Sequence, residues 1–167
     1  MAKTDSFFIR ASTDFNGTTF TQSSIDLGAY VDALGKSVLR IHNIAVQWGG
    51  PTETITITPN AEERNAFQLT TQSQSAMVDV TDKSVISSGS VSASAGAAGE
   101  MLTLTDALDI APQHWTQGYL VGVEQIYLGV DSTSAVNLAL TGCNIVLECT
   151  VETLSSAAAM ALALSQQ

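Results

Sequence analysis

The stretch Thr141–Thr153 constrains this chain more than any other. Cys143, Ile145, Leu147, Cys149 and Val151 are apolar, and Asn144, Glu148, Thr150 and Glu152 between them are polar. A period of two sustained over this length is a β-strand with one buried face. A strand of that kind needs a sheet around it and a second layer to bury its apolar side.

The rest of the chain supplies the partners. Ser6–Ser12 is short and apolar, Asn16-Gly17 marks a turn, and Thr18–Leu27 follows as a polar strand. Gly28–Gly35 is a connector with room for one helical turn. Ser37–Trp48 is a long strand whose apolar phase changes near Asn43-Ile44, the mark of a bulge. Trp48-Gly-Gly-Pro51 ends it. Thr54–Thr58 alternates, and Asn65–Ser73, Met77–Thr81, Lys83–Val91 and Met101–Leu104 read as further strands. Ser87–Gly99 is nearly all Ser, Ala and Gly and reads as a flexible loop. Thr105–Ile110 reads as a capped short helix before Pro112. Gly118–Val130 is rich in β-formers, and Asp131–Thr133 turns the chain into its last strand.

Beyond that strand, Leu154–Ser165 is dominated by alanine and reads as a helix with Ser155 or Ser156 as its N-cap. It is too short to be stable alone and must pack on its own body or on a neighbour, through Leu154, Met160 and Leu164. Eight to ten strands at about ten-residue spacing with little helix predict an all-β chain. The expected architecture is a jelly-roll-like antiparallel β-sandwich with a short C-terminal helix. Residues 1–153 form the sandwich and 154–167 the helical tail.

Chemistry is sparse. His42 and His114 stand apart without the closely spaced ligands of a jelly-roll metal site. The carboxylates Glu62-Glu63, Asp106 with Asp109, and Glu148 with Glu152 are the pairs any acidic chain contains. Asp106 and Asp109 read as helix caps, and Glu148, Thr150 and Glu152 as a solvated or intersubunit face. Loops with Asp79, Asp82 and Asp131 lack a calcium-binding spacing. Neither a nucleophile elbow nor a phosphate loop is present. The expectation is no enzyme, no catalytic residue, no metal and no cofactor.

Cys143 and Cys149 lie six residues apart on one strand, so roughly 20 Å. A disulfide needs Cα atoms within about 7 Å. Both are expected to be inward-facing, reduced and unpaired with each other. The opening residues lack the apolar core of a signal peptide, and no apolar run reaches the ~20 residues of a membrane span.

Charged residues make up 13% of the chain, about half the usual share. The net charge is −10, and the basic residues Lys3, Arg10, Lys36, Arg40, Arg64 and Lys83 are isolated. Such a surface favours cover by neighbouring molecules, and it predicts little direct binding of nucleic acid. Trp48 and Trp115 beside Gly or Pro turns read as plugs at the ends of the sandwich or as interface anchors, and with Leu154, Met160 and Leu164 in the tail they are the candidate interface residues.

Taken with a short lead, a loop-laden middle and a long final strand, the stretches Ser37–Trp48, Gly118–Val130 and Thr141–Thr153 and the Ala-rich tail resemble the single-jelly-roll major capsid proteins of small icosahedral viruses. The resemblance implies a structural virion protein that self-assembles into a shell, with many copies of itself and other virion proteins as partners. Many such proteins carry a basic N-terminal arm for the genome. Here Met1–Asp14 holds only Lys3 and Arg10, like the acidic shells that package DNA by other means. Two alternatives come from other classes: a lectin-like carbohydrate-binding sandwich using Trp48 or Trp115, and a fibre or pilus subunit.

Overall fold

In the computed structural model, residues 4–32, 36–98 and 100–166 are described. The strands run β1 (Phe7–Asp14), β2 (Thr21–Asp26), β3 (Ser37–Trp48), β4 (Glu62–Thr70), β5 (Val85–Ala95), β6 (Met101–Ile110), β7 (Tyr119–Val121), β8 (Gln125–Ser132) and β9 (Gly142–Thr153), followed by one helix, α1 (Ser156–Ser165). The strands form two antiparallel sheets, ordered β1-β9-β3-β7 and β2-β8-β4-β5-β6. The first strand pairs with the last, and the chain changes sheet at every connection except β4 to β5 and β5 to β6. This is a jelly roll, with β6 added beyond β5 as a fifth strand. The sandwich and its C-terminal helix are the architecture expected from the sequence.

β9 sits where its pattern demands, between β1 and β3. Cys143, Ile145, Leu147 and Cys149 all face the core, none more than 1% exposed. Across from them, β3 turns Leu39 and Ile41 inward, and then Ile44, Val46 and Trp48. The phase switches at His42, which the β3–β9 register skips between Ile41 and Asn43. The bulge therefore lies one residue before the expected position. From the facing sheet come Phe67, Leu69, Ile86, Ile126, Leu128 and Val130. Trp48 stacks on Phe15 at 6.5 Å and meets Phe67 edge-on at 5.8 Å.

Several local expectations fail, each for a tertiary reason. Ser87–Gly99 is not a loop, since β5 runs to Ala95 and is paired on both sides. Its small residues are what a strand needs when both faces are covered. Thr105–Ile110 is not a helix but part of β6, so Asp106 and Asp109 cap nothing. Asp106 accepts from Trp48 Nε1 at 3.2 Å, and Asp109 from the Ser88 hydroxyl at 3.2 Å. Gly118–Val130 is two strands in opposite sheets, β7 and β8, joined by a turn at 122–124. Thr54–Thr58 and Met77–Thr81 lie outside the sheets. The alternation of Thr54–Thr58 still has meaning. Ile55 and Ile57 turn onto a second apolar cluster of Val91, Ala93, Leu138 and Leu140, and the Thr56 N–H bonds the Leu138 carbonyl at 3.1 Å. Ala33–Gly35, at the end of the expected connector, lie outside the described residues.

Candidate assembly surface

The surface of interest is built on α1. Ser155 caps it, as expected, its hydroxyl accepting from Ala158 N at 3.2 Å. The helix carries no charged residue and is apolar on every side. Helices of that composition are normally buried all round. Here only one side is covered by the chain's own body. Ala159 and Ala163 are buried, with Leu162 half-buried beside them. The sandwich accepts the helix at Gly122, where an added Cβ would lie 3.0 Å from Leu162 Cγ and 3.1 Å from Ala163 N. A glycine at that turn lets helix and strand backbones approach closely.

Gln166 locks the far end. Its side-chain amide accepts from Gly122 N at 2.8 Å and donates to the Leu120 carbonyl at 2.6 Å. Its backbone carbonyl accepts from Thr71 Oγ1 at 2.9 Å and from Gln72 Nε2 at 3.2 Å. The amide side chain thus continues the ladder of β7 and fastens α1 to the strands. The tail is therefore part of the body, anchored through Ala159, Ala163 and Gln166.

Met160 and Leu164 point the other way. They are 50% and 65% exposed, so a large part of each lies outside the contact that holds α1 to its own sandwich. Leu154 is half-buried where the chain leaves β9. Beside α1, a shallow groove is lined by Arg40, Lys83, Gly118, Tyr119, Leu120, Leu162, Ser165 and Gln166. Gly118 closes the turn that begins at Trp115, its N–H bonding the Trp115 carbonyl at 3.1 Å. Trp115 is half-exposed. Trp115 thus precedes Gly118, which lines this groove, without lining it itself. Trp48 is elsewhere, its ring filling the space between the sheets.

The polar groups near this surface are engaged by their own chain. Arg40 Nε and Nη2 hold the two oxygens of Glu152 at 2.7 and 2.8 Å, and Arg40 also donates to the Gln117 carbonyl. His42 Nε2 meets Thr150 Oγ1 at 2.9 Å. Thr150 and Glu152 are therefore buried within the molecule rather than solvated. His114 Nδ1 accepts from Ala111 N at 3.2 Å, closing the short turn Pro112–His114. Sequence reasoning missed Gln113 and Gln166, since no pattern distinguishes a structural glutamine from a solvated one.

Cys143 and Cys149 are buried free thiols, and burial, aided by Asp106 and Glu148 respectively, pushes each up to about 12. Asp82 is turned onto Ser84, which holds its carboxyl below the usual range. Asp79, Asp109 and Asp131 rim a hollow of about 380 Å³ on the outer face of β4 and β5, together with Arg64. Among the described residues no three His, Cys, Asp or Glu side chains are grouped to hold a metal ion, and no helix is long and apolar enough to cross a membrane.

No family model matches the sequence, and no curated protein matches it. Among solved structures, a chain of maize chlorotic mottle virus is 8% identical with a TM-score of 0.31, covering 90% of this chain and 95% of that one. A chain of desmodium yellow mottle tymovirus is 8% identical with a TM-score of 0.37, covering 92% and 87%. A putative glycoside hydrolase of Bacteroides thetaiotaomicron is 9% identical with a TM-score of 0.28, covering 81% and 41%. The jelly-roll assignment rests on the strand order of the molecule itself.

Proposed function

We propose that this protein is a structural subunit that assembles with copies of itself into a closed shell, as a viral major capsid protein does, and that it resides in the virion. In this role it is not an enzyme and takes no cofactor. The carrying observation is α1, an uncharged helix, apolar on every side, of which the subunit covers only one face. Fully burying a Met or Leu side chain stabilises by about 1.5–3 kcal/mol, and the exposed part of Met160 and Leu164 can gain its share only from another molecule. The jelly roll supports the reading, being an architecture of capsid and lectin domains alike. The sparse surface charge supports it further.

Native mass measurement and negative-stain microscopy of the purified chain test the proposal. Closed particles of megadalton mass are expected without added enzyme or ligand. A chain that stays monomeric at high concentration across salt and pH overturns it. Linear polymers would instead identify a fibre subunit, and a monomer with glycan affinity a carbohydrate-binding module.

A further inference from the structure

We infer that the outer face of α1 is an isologous contact, packing against the same face of a second copy across a two-fold axis. The inference rests on the assembly reading and specifies how one of its contacts is made.

The face is complementary to itself. The exposed residues of α1 include Ala157, Met160, Ala161 and Leu164. Met160 and Leu164 form a row of large side chains at i, i+4, and Ala157 and Ala161 form a parallel row of small ones. Helices pack by setting the ridge of one into the groove of the other, and rows four residues apart pack on each other at a crossing of about −50°. A two-fold axis through the middle of this stripe places each copy's Met160–Leu164 ridge over the partner's Ala157–Ala161 groove. The alanines let the two backbones come close, and the stripe carries no charge, its rows ending in the exposed serines Ser156 and Ser165.

Charge selects the same partner. Each copy carries −10, so two copies repel through most of their surfaces. The segment 153–167 contains no charged residue, and contact there avoids setting carboxylate against carboxylate. Area sets the strength. Two ten-residue helices crossing once bury well under the roughly 1,200 Å² that a stable isolated interface requires. The contact is therefore weak alone and effective only where other contacts hold the copies together.

A cysteine at the axis reports such a contact directly. Ala161→Cys places a thiol beside its own symmetry mate, while the native thiols are buried and protonated, so the new one alone is reactive. Under mild oxidation Ala161→Cys should form a disulfide-linked dimer at least tenfold faster than Ala135→Cys, a control in an exposed loop far along the chain. Adding Met160→Glu to Ala161→Cys should remove that advantage with at most a small change in melting temperature, because half of Met160 already lies open to solvent.

If Ala161→Cys cross-links no faster than the control while the unmodified chain forms particles, helix pairing is wrong and the shell reading stands. If Ala161→Cys cross-links but no particles form, the pairing stands and the shell reading fails. If neither is seen, both fail. A cross-link unaffected by Met160→Glu would also overturn the ridge-and-groove packing.

Discussion

Gly89 and Ala139 have opposite demands, and both are exposed to test by one methyl group. Gly89 sits in β5 opposite Phe67 and Leu108. A Cβ there would lie 2.6 Å from the Ala107 carbonyl oxygen and 2.8 Å from Phe67 Cε1. The oxygen is backbone, so it moves only if the edge strand β6 shifts away from β5. Gly89→Ala should cost about 1–3 kcal/mol, the usual range for overpacking a filled interior. Ala139 is the reverse case. Asn137, Leu138 and Ala139 all have left-handed φ, at 53°, 55° and 60°. Left-handed backbone costs a non-glycine residue roughly 1–2 kcal/mol. Leu138 earns its place by filling the second apolar cluster, but Ala139 is exposed and fills nothing. Ala139→Gly should therefore raise stability, by up to about 1 kcal/mol. Urea midpoints of the two variants should move in opposite directions. A midpoint that rises for Gly89→Ala would show that β6 can retreat from β5.

Element by element, what could be read from sequence was whatever had its cause nearby. β9 and β3 were legible because alternation continues for a dozen residues and each has a full inner face to bury. The Ser155 cap of α1 was legible because capping is a contact between neighbours in sequence. β5 was hidden because its signal is smallness, which loops share, and the reason for smallness is the covering of both faces by distant segments. β6 was hidden because Asp106 looks like a helix cap until Trp48, 58 residues away, takes its carboxylate. The candidate surface was half legible. Met160 and Leu164 stood out as a pair, but the docking side formed by Ala159, Ala163 and Gln166 did not.

Edge protection had no sequence signal either. β7 covers β3 only over Leu39–Ile41. Past that point the Gln113 side chain takes over, accepting from Ile44 N and donating to Ile44 O, both at 3.1 Å. An amide side chain mimics one residue of a neighbouring strand and closes an edge that would otherwise present unpaired groups. Gln113→Ala should cost about 1–3 kcal/mol, since Ile44 is buried and both its backbone groups lose their partner. Gln113→Glu should recover only part of the loss, because a carboxylate accepts but cannot donate. Amide exchange at Ile44 should accelerate in Gln113→Ala with little change at Ile145. Unchanged exchange at Ile44 would show that solvent or another segment replaces the amide.

At the scale of the whole molecule, the fold brings Arg40 and Lys83 to one groove beside α1 but leaves Arg10 and Arg64 away from them. Arg10 opposes Val146 on β9, and Arg40 opposes Thr150, four residues further along, so the two cations are roughly 13 Å apart along the strand. Arg40 is moreover committed to Glu152. Arg10 lies 6.0 Å from the centre of the Phe8 ring. Arg64 is on β4 in the other sheet, beside the hollow rimmed by Asp79, Asp109 and Asp131. A nucleic acid backbone needs several cations in reach of successive phosphates, and each one engaged adds to the salt dependence of binding. Among the described residues Arg40 and Lys83 share one groove, Arg40 is committed to Glu152, and the net charge is −10. The isolated chain should therefore bind single- and double-stranded DNA and RNA weakly, and a filter-binding titration from 50 to 200 mM salt should show a shallow slope. The logic extends to the shell. If the subunit builds the proposed shell, repeating a chain of net charge −10 favours a separate cationic component for enclosing a genome. Tight, steeply salt-dependent binding by the subunit would contradict this charge map. Tight binding confined to assembled particles would show that contacts between copies build a cationic surface the subunit lacks.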